Sequence, residues 1–426
     1  MIMKNKILIV ALAAASLLLF GCKRRAADGA RSYSQNDPCE LALVPHIGTD
    51  PLDQEIIRLQ REAKDSKQQG PIVERLGWAF VQKARSSYDS GYYKLAETCA
   101  TCLQSRDETR LEGLLLGGHV LQSLHRFKEA ELAAKELVSS RGLPFDYGLL
   151  GDALMEQGRL AEATAAYQTM VDLKPGPQSY SRAAHIRWLK GDLAGSIELM
   201  RMAANAGTSQ DRESAAWAYA RLANYELQAG QIRSALQACE AAEFFLPDYA
   251  PSLLVRGRVL LAEGKSVEAI APLQQAAGLI ALPEYQWALA DALRAAGRDS
   301  EAIQVEGDLL RDGPASDPRT FALYLATRRD RIEQAVDLAD KELEVRNDVF
   351  TLDAYAWSLA AADRKAEAAS VIARALAEGT ADARLFYHAG VIALMNGDKV
   401  EARRWLSRAA SVRQMLLPSE RTDLMK

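Results

Sequence analysis

The sequence predicts an all-α protein, a solenoid of about ten helix pairs behind an N-terminal capping helix. Three observations point there. A small residue returns every 33 or 34 positions over most of the chain. The clearest unit has one glycine placed as a turn and one proline placed as a stop, as two antiparallel helices need. The repeats leave only residues 23–71 and a short tail after about 412, too little for a separate catalytic domain of ordinary size.

Composition sets outer limits. The 426 residues are 49% hydrophobic and 25% charged, enough apolar material for a large core. Net charge is −4, and −6 without residues 1–21, which carry Lys4 and Lys6. A mildly acidic chain lacks the clustered basic surface that phosphate neutralisation needs, so no nucleic-acid partner is expected.

Residues 1–21 read as a signal peptide. Lys4 and Lys6 form a positive start, and Ile7 to Phe20 is apolar except for Ser16. At ~1.5 Å per residue this run spans about 21 Å, short of a ~30 Å hydrocarbon core. The next stretch, Leu19-Phe20-Gly21-Cys22, resembles the bacterial lipobox, with Phe20 where Ala or Ser is more usual. The resemblance implies that the Cys22 thiol carries a diacylglycerol and that its amino group, freed by cleavage, is acylated too. Lys23-Arg24-Arg25 leaves one alternative open, an uncut anchor with the body in the cytoplasm. In the lipid reading these charges form a basic collar at anionic headgroups. Lys23 directly after the cysteine resembles enterobacterial lipoproteins sorted to the outer membrane, which implies its periplasmic face.

Residues 22–50 read as a lipidated tether with little periodicity. A capping helix follows at 51–70, with Asp50 as N-cap, Pro51 at the first position, and Leu52, Ile56, Leu59 and Ala63 on one face. The solenoid takes residues 71–412, and 413–426 form a C-terminal tail.

Within the solenoid, Tyr147 to Pro175 is the clearest unit, with Tyr147, Leu150, Gly151, Gly158, Ala163, Tyr167 and Pro175 in sequence. It resembles a tetratricopeptide repeat. The second-helix small residue recurs as Ala96, Ala130, Ala163, Ser196, Ala235, Ala269, Ala302, Ala335, Ala368 and Ala402. The first-helix one recurs as Gly118, Gly151, Ala184, Ala223, Gly257, Ala290, Leu323, Ala356 and Gly390, and only Leu323 breaks the size rule. One gap widens to 39 at the polar stretch "NAGTSQDRES", and the first unit is about seven residues too long near "SSYDSGYY". The resemblance implies a right-handed superhelix without catalytic activity or cofactor.

The resemblance also implies a concave face lined by first helices, where ligands contact recurring positions. Here these are His119, Asp152, His185, Trp188, Asn224, Arg258, Trp287, Asp291, Arg294, Trp357 and Tyr387. Aromatic and mixed polar groups there suit a protein partner, or stacking on sugar rings. They lack the Lys, Arg and Asn cluster with which carboxylate-clamp members of the family grip chaperone tails.

The remaining chemistry is sparse. Cys99 and Cys102 form a CxxC inside a helix and lack the βαβ setting of a thioredoxin site. In an oxidising compartment Cys39 could pair with either of them and staple the cap to the first repeat. Cys239 reads as core. No second CxxC or spaced His pair suggests a metal. The reading is a membrane-tethered scaffold for protein–protein contacts in the bacterial cell envelope. The alternatives are a polysaccharide-export accessory and, third, a thiol-active protein using Cys99 and Cys102.

Overall fold

The computed structural model describes residues 37–207 and 211–426. The signal peptide, Cys22 and residues 23–36 lie outside the described residues. Among those described there are 23 α-helices, two single-turn 3-10 segments and no strand. Ten consecutive pairs, from Gly70–Ser87 with Gly91–Gln104 to Ala383–Met395 with Lys399–Ser411, form a solenoid.

Sterics at the crossings set the repeat. All ten second-helix small residues are at most 1% exposed. Opposite them, a Cβ on Gly151 would run into the Tyr167 ring, and one on Gly257 into Leu273. Side chains of ordinary size would push the paired axes apart and open voids along the stack. After each first helix one residue turns left-handed, as Gly158 (φ 76°), Gly191 (80°), Gly230 (73°), Gly264 (79°), Gly297 (76°) and Gly397 (81°). There the chain reverses through paired bonds such as Gly158 N–H to Met155 O (2.9 Å) and Arg159 N–H to Leu154 O (2.9 Å). The extra length of the first unit lies mainly in its first helix, which runs 18 residues to Ser87.

The N-terminal segment is more structured than a tether. From residue 37 it is folded onto the first pair: Asp37 caps the helix Pro38–Ala42, and Ala42 is buried. Gln60 then ties it to the capping helix Pro51–Asp65 by donating to Val44 O (2.6 Å) and accepting from His46 N–H (2.9 Å). Cys39 and Cys102 are disulfide-bonded, while Cys99 is a free, buried thiol.

The superhelix winds tightly enough for its two halves to meet. The turn at Gly158 packs on Asn347, whose N–H donates to Glu156 O (3.1 Å). Lys190 pairs with Glu378 (3.0 Å), Thr380 donates to Leu189 O, and Gln228 donates to Ala381 O. At the other end Arg85 of the first pair meets Glu213 of the fifth (2.6 Å).

Residues 413–426 also depart from the expected tail. The turn Arg413–Met415 and the helix Pro418–Leu424 fold back into the concave side, where Leu416 and Leu417 are buried.

Two outcomes follow from these contacts. Gly264→Ala, at a turn with open space beside it, should lose about 1–2 kcal/mol through left-handed strain. Gly158→Ala carries the same strain and a collision with Asn347, so its urea midpoint should fall further. Equal losses would contradict the contact between the halves. Replacing Cys39 and Cys102 together by Ser should cost about 2–4 kcal/mol by freeing a long loop in the unfolded chain, read by denaturant titration.

Candidate functional site

First helices place their inward residues around a central cavity of about 580 Å³. Its walls come from Met155 to Leu417, so every pair from the third onwards contributes, and Met415 and Leu417 close one side. The lining mixes Trp188, Trp287, Leu323 and Phe350 with the guanidinium groups of Arg221, Arg258, Arg319, Arg346, Arg374 and Arg384. Acids interleave with these cations. Arg258 pairs with Glu284 (3.1 Å), and Arg346 lies 3.7 Å from Glu156. Burial raises the Glu156 pKa, and nearby Asp348 raises it further. Burial would raise Asp348 too, but Arg319, Thr351 and Arg346 outweigh it and hold Asp348 below its ordinary value.

A ladder links successive first helices. The residue after one small position meets the residue two before the next. Asp152 accepts from Arg182 Nε (2.8 Å) and Nη2 (2.6 Å), with the Tyr167 hydroxyl donating at 2.7 Å. One rung on, His185 replaces the acid, and its Nδ1 accepts from Arg221 Nη2 (3.1 Å). Burial, then Arg221, depresses the His185 pKa to about 3, so the ring is neutral at pH 7. Arg221 accordingly has no carboxylate within ion-pair distance among the described residues, and lies over the rings of Trp188 and Tyr225. Trp357 repeats the rung, stacked 4.1 Å from His388.

Several residues assigned to a partner-binding surface serve inside the molecule instead. Trp188 is buried, donates from Nε1 to Gln228 Oε1 (2.6 Å) and stacks on Phe350 of the later turn. Trp287 is buried beneath the Arg384 guanidinium, 4.7 Å from its centroid. Asp291 is buried and accepts from Ser419 N–H (3.2 Å) and Oγ (2.5 Å). The reason is the same for all three: the later turn and the C-terminal segment cover the concave face.

Arg294 bonds Glu306, and Trp357 donates to Thr327 Oγ1 (3.0 Å). His119 packs on Trp78 with its pKa lowered to about 4 by burial and Arg85, and Tyr387 sits 5.9 Å from Trp357. Only His185, Trp188, Asn224, Arg258 and Trp287 of the eleven line the cavity. Arg221 stands two residues before Ala223, as Arg182 does before Ala184, and that spacing was a signal in the sequence. Nothing comparable marked Arg319, Arg346 or the segment 414–421.

The cysteines offer little reactivity. Cys99 is fully buried and its thiol pKa is pushed far up by burial, while that of Cys239 rises to about 12. Among the described residues no cluster of His, Cys, Asp and Glu is placed to hold a metal, and no helix is long and apolar enough to cross a membrane.

A tetratricopeptide-repeat family profile matches residues 115–177, 149–211 and 220–285. The chain carries tetratricopeptide repeats. No curated protein sequence matches it. Among solved structures, a human IFIT1 dimer with m7Gppp-AAAA is 12% identical, covers 90% of this chain and 96% of that one, and gives a TM-score of 0.47. The APC/C hetero-tetramer Cut9–Hcn1 is 13% identical, with 88% and 89% covered and a TM-score of 0.36. A crystal structure of MamA is 18% identical over 38% of this chain and 93% of that one, with a TM-score of 0.31. Tetratricopeptide arrays are scaffolds for protein–protein contacts, typically without catalysis, and that is the class of function the repeats support.

The buried carboxyl at the closure gives a pH-dependent outcome. Burial raises the Asp291 pKa from 3.8 to about 6, against the lowering effect of Ser419. Because the folded pKa is the higher one, folding takes up a proton between about pH 6 and 4. The ionised form above pH 6 carries a penalty on the order of 2–3 kcal/mol. Asp291→Asn should therefore gain most over the parent near pH 7, and the gap in melting temperature should shrink towards pH 4.5. A gap independent of pH would contradict this.

Proposed function

We propose that the chain is a lipid-anchored tetratricopeptide scaffold that binds another protein in the bacterial cell envelope. The observation that carries this is the combination of a repeat array with a lipobox-like Cys22, a binding surface joined to a tether. The Cys39–Cys102 disulfide supports an oxidising compartment, since such bonds persist outside the cytosol. Arg221 and Arg258 on the cavity wall supply guanidinium groups of the kind enriched where proteins meet.

Polysaccharide handling is the second reading, and its support is narrower. Sugar rings stack on exposed aromatic faces, and Trp188 and Trp287 present none while the concave side is closed.

Comparison of the parent with Cys22→Ala tests the tether. The parent should fractionate with membranes and lack residues 1–21, and the variant should move to the soluble fraction. Equal membrane retention with residues 1–21 intact would overturn lipid anchoring. In-cell crosslinking of the parent should recover one stoichiometric envelope partner, and its absence would count against the scaffold.

A further inference from the structure

We propose that the concave face is a peptide groove held shut in cis, with residues 413–424 occupying the place of a partner segment of the same chemistry. That chemistry is an adjacent apolar pair followed by a short helix opening Pro-Ser-Glu. The proposal rests on the scaffold reading and names what the scaffold binds.

The seat of this segment reads side chains in sequence. Leu416 and Leu417 fill the apolar part, each at most 3% exposed. Pro418 then opens a helix, and Ser419 gives both its N–H and its hydroxyl to Asp291. Glu420 accepts from Leu417 N–H (2.8 Å) and from Arg384 Nε (2.6 Å) and Nη2 (3.1 Å). Arg421 Nη2 donates to Leu261 O (2.7 Å), and Gln414 donates to Gln228 O (2.5 Å). Both carbonyls belong to the last turns of first helices, where the helix dipole is negative. Directional bonds to successive residues select a sequence, and two leucines alone could not.

The segment is also free to leave. Its helix has seven residues, and none of the ten pair crossings runs through it. A helix that short has no stability of its own in water, so its order depends on the groove. Departure would uncover Asp291, Arg384 and Trp287 and remove Met415 and Leu417 from the cavity wall. A tethered occupant has an effective concentration near millimolar, which keeps weaker ligands out.

The test uses a fluorescein-labelled synthetic peptide of residues 411–426 and the full chain, followed by fluorescence anisotropy. The Leu417→Ala/Glu420→Ala chain, whose own tail is weakened, should bind the peptide at least roughly 100-fold more tightly than the parent. Adding Arg384→Ala should abolish that gain. Hydrogen exchange on the unmodified protein supplies an independent reading. Amides of 416–424 should exchange at least about tenfold faster than those of Ala383–Met395, through local opening. An opened chain that ignores the peptide, or tail amides that exchange only with global unfolding, would overturn the proposal. If the double variant fails to fold, the exchange result decides alone. Peptide binding without a crosslinked partner would keep the groove and remove the scaffold, and a partner without peptide binding would do the reverse.

Discussion

The architecture depends on one steric constraint, the absence of room where each first helix crosses its second. Ten small residues on the second helices are shut from solvent, and Gly151 or Gly257 opposite them could not carry even a methyl group. Close crossing fixes the distance within a pair, and the left-handed turn at positions such as Gly158 fixes its direction. With both fixed ten times over, small rotations add to a superhelix, and its curvature is a property of the repeat.

Curvature then decides what the inner face can do. An open array would present Trp188, Trp287 and Asp291 to solvent. Here the loops leading into the first helices of the C-terminal pairs come round onto the turns of the middle pairs, and residues 413–424 close one side of the cavity between them. Arginines that could serve a ligand are partly engaged with acids of the same chain, as Arg258 is with Glu284. Arg221 meets no acid, because His185 stands where the ladder has Asp152 one rung earlier, and Arg374 bonds the Asn347 amide oxygen rather than an acid. The cavity mixes acids with guanidinium groups, two of which, Arg221 and Arg374, have no carboxylate within ion-pair distance among the described residues, and it is edged by aromatic rings.

The fold was legible because its cause is local. A small residue, a turn glycine and a stopping proline act within about 35 residues, and their spacing survives in the sequence even where Leu323 breaks it. Closure was not legible, because its donors reach backbone carbonyls at Glu156, Leu189, Ala381 and Gln228, which no side chain encodes. The same difficulty hid Ser419, Glu420 and Arg421, which look like any polar terminus until Asp291 and Arg384 stand beside them. His46 shows the limit at the other end: it sits 2.7 Å from Asp53 and helps bind the segment read as tether, through contacts that no repeat encodes.

The two halves of the superhelix touch, and native residues can report it. Lys190 and Glu378 lie 3.0 Å apart although 188 positions separate them in the chain. Zero-length carbodiimide crosslinking of the monomer, read by peptide mass spectrometry, should join these two side chains. Finding only local products such as Lys341–Asp337, with Lys190 free, would show that the array stands open.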